Sequence, residues 1–561
     1  MLTTTTHQCV ALLNAAADLH QRGKLAEAAE SYKKVLSVDK NNGEAMHFLA
    51  TLEGRRGNYT AAVSLFEKVV QLRPDLAEAI CNRGTALQDL NLWESALLCF
   101  ERAIVIRPSY STALNNRGAA LDRLGRKRES IISFDQAILF QPSFAEAFFN
   151  RGLALEKLDR WPEALVDLDR SLLIKQSNAE ALNSRGNVLY RLERWAEALS
   201  AYNRATLIKP DYVEAFNNRG AALQMLGRAE EAITSFEKAI RIDPDFADAY
   251  GNQSQVLLLL GRFSEGWRKY EWRLKKEDLK YKQSLDARTA WRGKESVTGK
   301  RLLIQCEQGL GDSIQFVRYL PMIAALGAEI FVSAPKTIAS LLSDMQIPMT
   351  LIAEDSSPPP FDVCCPLMSL PFVFDTTIET IPAPIPYIRA NPNKKAIWKK
   401  RLGSTNKTRV GLVWSGSTVH KRDSSRSIKL EALISLLALP IEWHSLQTEY
   451  RDYDAEVFVR HPQVQRHDRH LTDFSETAAL LDCLDMVITV DTSVAHLAGA
   501  MGKPAWVLLP FVPDFRWLLD RSDSPWYPSI KLFRQDKRRD WTIVISEVRD
   551  SLNEAIRHRA G

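Results

Sequence analysis

Residues 77–110, AEAICNRGTALQDLNLWESALLCFERAIVIRPSY, and residues 111–144, STALNNRGAALDRLGRKRESIISFDQAILFQPSF, align position by position. Each segment is 34 residues long, and prolines recur at this spacing over a larger region, at Pro74, Pro108, Pro142, Pro210 and Pro244. Glycine or a polar residue stands half a period earlier, at Gly57, Asn91, Gly125, Asp159, Glu193, Gly227 and Gly261. A period of this length with a turn at its midpoint predicts a stack of helix pairs.

Small and aromatic residues repeat in the same phase. The small residues are Gly84, Gly118, Gly152, Gly186 and Gly220 on the first helix and Ala62, Ala96, Ala164, Ala198 and Ala232 on the second. The aromatic residues are Tyr32, Phe66, Phe100, Phe134, Tyr202, Phe236 and Tyr270, and we expect them to fill the seam between stacked units. The pattern resembles the tetratricopeptide repeat family. This resemblance implies an all-α superhelix over residues 1–275, with about seven full repeats and a final partial one.

Asparagines form a further column on the first helices, at Asn82, Asn116, Asn150, Asn218 and Asn252. An asparagine side chain offers donors and an acceptor that match the amide and carbonyl of an extended peptide. The column resembles the asparagine ladder of the O-GlcNAc transferase superhelix, which implies a peptide-binding groove. Alternatively, each asparagine stabilises its own helix pair.

Composition excludes several classes of protein. Hydrophobic residues make up 45% and charged residues 25% of the 561 residues, as in ordinary globular proteins. The 73 basic and 68 acidic residues nearly cancel, which argues against a nucleic-acid partner. No apolar run approaches the roughly 18 residues of a membrane span and the first residues lack a signal-peptide pattern, so we expect a cytoplasmic protein. The seven cysteines lack CxxC pairs and predict reduced thiols without a metal site.

The pattern changes after Gly261, where the repeat decays into a polar connector, residues 276–300. Strands then alternate with helices, first over residues 301–386 and again over residues 387–561, and the proline-rich segment IPAPIPYI (381–388) lies between the two regions. Such alternation predicts two doubly wound, Rossmann-like α/β domains, whose ligands bind beyond the carboxyl ends of the strands. Two such domains around a cleft resemble the B-type glycosyltransferase architecture.

The first chemical motif is QGLGDSIQFVRYLP (308–321), which follows a buried strand. It resembles the opening loop of the heptosyltransferase family, glycosyltransferase family 9. This resemblance implies that Asp312 deprotonates the acceptor hydroxyl, while Gly309 and Gly311 on the acceptor-side loop let the substrate approach. Alternatively, Asp312 caps the following helix.

The second motif is VITVDTSVAHLAGAMGKPAWVLLP (487–510), predicted as a strand, a turn and a helix. It resembles the nucleotide-sugar signature of the same family, although a serine stands where the family usually has glycine. Free amides at a helix start attract a diphosphate. The candidate donor-binding residues are Asp491, Thr492, Ser493 and His496. Apart from the motif, His496 would be interpreted as a packing residue.

A cationic loop, WSGSTVHKRDSSRSIKL (414–430), follows the first strand of the second domain. Heptosyltransferases resemble this chain in using a lysine or arginine here, so Lys421 and Arg426 are candidate ligands of the donor diphosphate. Gln447, after a later strand, is a weaker donor-binding candidate, since loop glutamines are common. A solvated cluster is the alternative for the cations. No DxD-type acidic metal motif is evident in the predicted cleft loops, which favours chemistry without a metal or cofactor.

These features together predict a metal-independent, inverting glycosyltransferase of the hexosyl-, heptosyl- or GlcNAc-transferring kind. The enzyme would move a sugar from a nucleotide-sugar donor to an acceptor hydroxyl, on a protein or peptide bound by the repeats. The alternative is a noncatalytic scaffold with a degenerate sugar-nucleotide-binding domain. The aromatic stretch PFVPDFRWLLDRSDSPWYPSIKLF (510–533) lacks a counterpart in the family pattern. It would shape the acceptor pocket or pack against the repeats.

Overall fold

The structure, a computed structural model, describes residues 2–275, 289–382, 384–418 and 423–560. The chain divides into two compact units, Met1–Ala222 and Leu223–Gly561. Of the predicted connector 276–300, residues 276–288 lie outside the described ranges. Within those ranges, no helix is long and apolar enough to cross a membrane.

Sixteen helices occupy the described chain up to Tyr270, in agreement with the predicted helix pairs. The last helix has 8 residues against 14 in α14, so the final repeat is the short one, as expected. In chain order, α1 to α16 are Leu2–Gln21, Leu25–Val38, Gly43–Arg55, Tyr59–Leu72, Ala77–Asp89, Trp93–Ile106, Ser111–Arg123, Lys127–Phe140, Ala145–Glu156, Trp161–Ile174, Ala179–Arg191, Trp195–Ile208, Val213–Met225, Ala229–Ile242, Ala247–Leu259 and Phe263–Tyr270.

The turn inside each pair has a left-handed residue at the predicted position. Positive φ values occur at Gly57, Asn91, Gly125, Asp159, Glu193, Gly227 and Gly261, and also one period earlier at Gly23. A left-handed residue ends a helix by letting the following amides bond back to its last carbonyls. The polar residue at 193 therefore adopts the same backbone conformation as the glycines, with φ of 60°.

Rings of the aromatic column lie against the first helix of their own pair, and Tyr32 also stacks on Phe48 of the following unit at 5.6 Å between ring centroids. A Cβ atom on Gly118 would lie 2.5 Å from the ring of Phe134, and one on Gly84 would lie 2.7 Å from the ring of Phe100. Because these glycines lack a side chain, the ring from the second helix lies directly on the backbone of the first.

The α/β part contains two parallel sheets, as predicted. The first has the order β3-β2-β1-β4 and the second the order β10-β9-β8-β5-β6-β7. The strands β1 to β10 are Arg301–Gln305, Glu329–Ala334, Met349–Ala353, Val363–Pro366, Arg409–Val413, Glu442–Ser445, Gln465–Arg466, Met486–Val490, Ala505–Leu509 and Ile530–Arg534. The second order is that of a doubly wound nucleotide-binding fold, with the strand order reversing between β5 and β8.

The described helices of this part, α17 to α27, are Leu310–Phe316, Leu320–Ala325, Lys336–Ser343, Leu370–Val373, Pro392–Leu402, Asp423–Arg426, Ile434–Leu437, Asp454–Arg460, Phe474–Asp482, Ser493–Ala500 and Trp541–Ala560. Central strands are buried on both faces, as in parallel sheets covered by helices. The first sheet lies within the predicted domain 301–386 and the second within 387–561, while the exact domain limits stay predictions.

The last repeat helix packs on the α/β part inside the second unit. Trp267 of α16 contacts Phe515 edge-on at 5.7 Å between ring centroids, and Phe263 stacks on Trp526 at 5.9 Å. The aromatic stretch 510–533 thus packs against the end of the repeats, one of the two roles predicted for it. Burial of these large rings stabilises the contact by removing apolar surface from water.

Candidate functional site

Three loops of the α/β part lie at the positions where folds of this kind bind ligands. They follow β1, β5 and β8, the strands that flank the reversals of strand order in the two sheets. Ligands of doubly wound folds bind beyond the carboxyl ends of the strands at these reversals. The predicted motifs therefore lie where such a fold binds its substrates.

Asp312 lies in the first turn of α17, with its side chain 18% exposed. Its Oδ2 accepts a 2.8 Å hydrogen bond from the amide of Gly309, and its Oδ1 accepts one from Arg516. Burial raises the pKa of the Asp312 carboxyl, while the guanidinium of Arg516 opposes that rise. The capping role that was the alternative for Asp312 is present, and a partly exposed carboxylate remains.

Arg516 was missed by the sequence analysis, since a single arginine in an aromatic stretch carries no pattern. Its Nη2 binds Asp312, its Nη1 donates to Oδ1 of Asp514 at 2.7 Å, and its Nε donates to Oε1 of Gln315 at 2.7 Å. The side chain is 8% exposed, and Phe515 lies against the guanidinium. A buried arginine with two carboxylates and an amide is fixed in one orientation.

Gly311 brings the two motifs into contact. A Cβ atom there would lie 2.9 Å from Cδ2 of His496 and 3.4 Å from Cα of Ser493, both on α26. The sequence analysis assigned Gly309 and Gly311 to substrate approach. The open side of Gly311 is instead filled by α26, because the absent side chain lets α17 and α26 pack closely.

His496 is buried on α26. Its Nδ1 lies 3.1 Å from the hydroxyl of Tyr527, and its ring stacks on Trp517 at 5.4 Å between centroids. Burial lowers the pKa of His496 to about 3, so the imidazole is neutral at ordinary pH. These contacts match the packing interpretation, and a role in donor binding stays a prediction.

The turn before α26 carries the other predicted donor residues. Thr492 occupies the N-cap position, and its hydroxyl lies 3.1 Å from that of Thr489. Burial, assisted by the nearby charge of Asp514, raises the pKa of Asp491 to about 6. A helix start with hydroxyls and free amides suits an anion.

Arg426 reaches this turn from the loop after β5. Its Nη1 donates to the carbonyl oxygen of Asp491 at 2.8 Å, and its guanidinium covers Gly416, where a Cβ atom would lie 2.5 Å from Nη2. The other predicted cation, Lys421, lies outside the described residues. The structure thus brings Arg426 to the start of α26, and its role in binding the donor diphosphate stays a prediction.

Gln447 is buried, and its amide supports the loop that carries Gly416. Its Nε2 donates to Oγ of Ser415 at 3.0 Å and to the carbonyl of Glu449 at 3.1 Å, and its Oε1 accepts from the amide of Ser415 at 3.2 Å. These bonds occupy the side chain within the protein. A role in reading the donor stays a prediction.

The asparagine column links successive repeats in the first unit. The bonds run from Nδ2 of Asn116 to Thr85 at 3.2 Å, from Asn150 to Asn115 at 3.0 Å, and from Asn218 to Asn183 at 3.1 Å. Each bond joins the first helix of one repeat to that of the preceding repeat. Asn82 and Asn252 are half-buried at equivalent positions. The peptide groove stays a prediction.

Comparison with known families agrees with both halves of this description. Tetratricopeptide repeat models match residues 13–77, 81–141, 186–227 and 213–246. The N-terminal region is a tetratricopeptide repeat array. The model of glycosyltransferase family 9 (heptosyltransferase) matches residues 471–508, which include Asp491 and His496. The chain thus joins these repeats to a segment that matches the glycosyltransferase family 9 model.

One curated relative is the protein FlbA of Caulobacter vibrioides, which is 25% identical over 289 residues. The match covers 47% of this chain, and the chain spans about half the length of the relative, 48%. Two solved structures resemble the repeats. YrrB, described as a TPR protein with an unusual peptide-binding site, shares 27% identity, with 33% of this chain and 95% of YrrB covered and a TM-score of 0.30.

The second solved structure is a tetratricopeptide repeat protein from Parabacteroides merdae. It shares 16% identity, with 45% of this chain and 99% of that protein covered and a TM-score of 0.37. Both scores are below 0.5, so the identification of the repeats depends on their sequence signature and helix pairs.

Proposed function

We propose that the protein is an inverting glycosyltransferase that moves a sugar from a nucleotide-sugar donor to an acceptor hydroxyl. The observation that carries the proposal is the contact between the two motif loops, where Gly311 of α17 lies against Ser493 and His496 of α26. This contact sets a carboxylate, Asp312, on one side of the strand reversals and an anion-binding helix start on the other.

The reaction needs a base for the acceptor and charge neutralisation for the leaving group. Asp312 accepts the hydroxyl proton while the acceptor oxygen bonds to the anomeric carbon and the bond from that carbon to the diphosphate breaks. Attack from the face opposite the leaving group inverts the anomeric centre. Arg426 and the amides at the start of α26 stabilise the negative charge of the departing diphosphate, so the proposal requires no metal.

The proposed acceptor is a hydroxyl on a protein or peptide bound by the repeats. Asparagine side chains at successive first helices support this assignment, because each can bond to the backbone of an extended chain. Their mutual bonds, such as that between Asn150 and Asn115, hold the donors and acceptors in a regular row.

A noncatalytic scaffold is the second candidate, and one specific observation favours it. Both oxygens of Asp312 are already engaged, one by the amide of Gly309 and one by Arg516. A carboxylate used in this way could serve only to cap α17 and join two loops. In that case the α/β part would bind a sugar nucleotide without turning it over.

Donor hydrolysis separates the two candidates. Purified protein is first screened by thermal shift with UDP, GDP, ADP and CMP, since a ligand of the native state raises its unfolding temperature. Nucleotide sugars of the stabilising base are then tested for turnover by the wild type, by Asp312→Asn and by the control Asp355→Asn, which alters an exposed pair with Lys336. We expect turnover in the wild type and the control, and a loss of about a hundredfold or more in Asp312→Asn. Binding without turnover in any of them would support the scaffold.

A further inference from the structure

Arg516 is the residue that connects the two sides of the candidate site. It lies in the segment Phe515–Trp517, beyond β9, yet two of its three polar partners, Asp312 and Gln315, lie on α17. Its third partner, Asp514, is the residue at the start of the same segment. One side chain therefore fixes α17 relative to the second sheet.

We propose that Arg516 is the positioning residue of the base and orients the Asp312 carboxylate toward the acceptor. A second role follows from its charge, which sets the pH at which that carboxylate can work. The inference rests on the proposed function and deepens it. Arg516 acts through Asp312 and contacts neither the donor nor the acceptor in this scheme.

Geometry supports the orienting role. Gly309 holds Oδ2 of Asp312 and Arg516 holds Oδ1, so rotation of the carboxylate would break at least one charge-assisted bond. The guanidinium itself is fixed by Gln315, by Asp514 and by the ring of Phe515. A base held in this way needs no reorganisation when the acceptor arrives.

The charges around Asp312 support the second role. Arg516 favours its ionised form, whereas Asp514 and Glu307 disfavour it, and Tyr270 is the other ionisable group that faces it. Burial raises the pKa of Asp312, and Arg516 is the largest opposing influence. Loss of the guanidinium should therefore raise this pKa, and loss of the Asp514 charge should lower it.

These opposite signs define the experiment. The pH profile of kcat/KM for donor turnover is measured on the full-length wild type, Arg516→Met, Arg516→Lys, Asp514→Asn and the control Arg538→Gln, which removes an exposed pair with Asp536. We expect the acid limb of Arg516→Met to move to higher pH with a fall in kcat of about tenfold to a hundredfold. Asp514→Asn should move the acid limb to lower pH. Arg516→Lys should move the acid limb less than Arg516→Met does, and the profile of the control should match that of the wild type.

A measurement without turnover separates this inference from the proposed function. Carboxyl ¹³C signals of labelled aspartate are titrated in the same proteins, and the Asp312 signal is assigned by its loss in Asp312→Asn. Arg516→Met and Asp514→Asn should move its midpoint in opposite directions. Unchanged midpoints, or shifts of the same sign in both variants, would overturn the inference. If the two variants shift the midpoint in opposite directions but the wild type turns over no donor, the role of Arg516 in setting the pKa of Asp312 would be supported. The proposed transferase activity would then be refuted.

Discussion

Tyr270, at the end of the last repeat helix, donates a 3.0 Å hydrogen bond to Oε1 of Gln308, the residue that precedes the candidate base loop. Gln308 has a left-handed backbone with φ of 64°, which is unusual for a residue with a side chain. The bond helps hold this conformation, and the loop continues directly into Gly309 and Asp312. The end of the repeats thus supports the loop that carries the candidate base.

Tyr270→Phe should lower donor turnover while leaving the fold intact. Loss of one hydrogen bond of about 1 kcal/mol corresponds to a reduction of roughly fivefold in kcat. The matched control is Tyr32→Phe, which removes a buried hydroxyl that has no hydrogen-bond partner among the described residues. Turnover and thermal unfolding of both variants would be compared with the wild type. Equal kcat in the three proteins would contradict a supporting role for Tyr270.

Arg273→Met should destabilise the second unit strongly. Arg273 is buried, and its Nη2 bonds to Glu307 at 2.5 Å and to Oγ of Ser369 at 2.9 Å. Breaking a buried pair leaves the other charge unpaired, at a cost of about 3–5 kcal/mol in the free energy of unfolding. The double variant Arg273→Met/Glu307→Gln should recover part of this loss. Denaturant unfolding measures the loss in the single variant and the recovery in the double variant. An exposed pair such as Lys336 with Asp355 provides the comparison, and its removal should cost under about 1 kcal/mol.

Gly311→Ala tests the contact between the two motifs. The added methyl group would overlap Cδ2 of His496, so either the imidazole ring or the two helices must shift. We expect a loss of about 1–3 kcal/mol in unfolding free energy together with reduced binding of the nucleotide. The control is Gly43→Ala at the start of α3, where nothing lies within 4 Å of the new atom. If both variants show the same unfolding free energy and nucleotide binding, the close approach of α17 and α26 is not needed for either property.

The left-handed turn residues predict a substitution that should stabilise the protein, whereas the preceding ones should destabilise it. Glu193 adopts φ of 60° where other repeats have glycine, and this conformation costs a residue with a side chain about 1 kcal/mol. Glu193→Gly should therefore stabilise the array slightly, and Gly125→Ala should destabilise it by about 1 kcal/mol. Thermal unfolding of the two variants measures the difference. If Glu193→Gly destabilised the protein, the interactions of the Glu193 side chain would contribute more to stability than its left-handed backbone conformation costs.

Buried histidines should make the protein less stable in mild acid. Burial lowers the pKa of His444 and His467 to about 4 and that of His496 to about 3. In the unfolded chain these groups take up protons below about pH 6.5, whereas the native state does not until much lower pH. The contribution of each histidine is thus fully present above pH 6.5 and falls toward pH 4, by at most about 1.4 kcal/mol per pH unit. The raised pKa of Asp491 acts in the opposite direction over the same range and offsets part of this loss. Urea unfolding at pH 7, 6 and 5 measures the slope, which His444→Gln should reduce.

The features that could be predicted from the sequence are those that repeat or that follow a strand. The turns inside the helix pairs, the strands that precede the motifs and the position of Asp312 depend on local pattern. Arg516 and Arg273 could not be predicted, because they bond to Asp312 and Glu307, groups far away in the chain. The contact of Phe134 with Gly118 in its own helix pair was not predicted, since periodicity fixes which face a ring occupies but not every neighbour it meets.

The buried pair of Arg273 and Glu307 also determines where this chain can be divided. By sequence, the natural place to cut is the end of the repeats near residue 275, yet that cut would leave Glu307 without its buried partner. The compact units divide earlier, after Ala222. A fusion of the α/β part to another binding array would therefore need to retain α14 to α16 as the connection between the two.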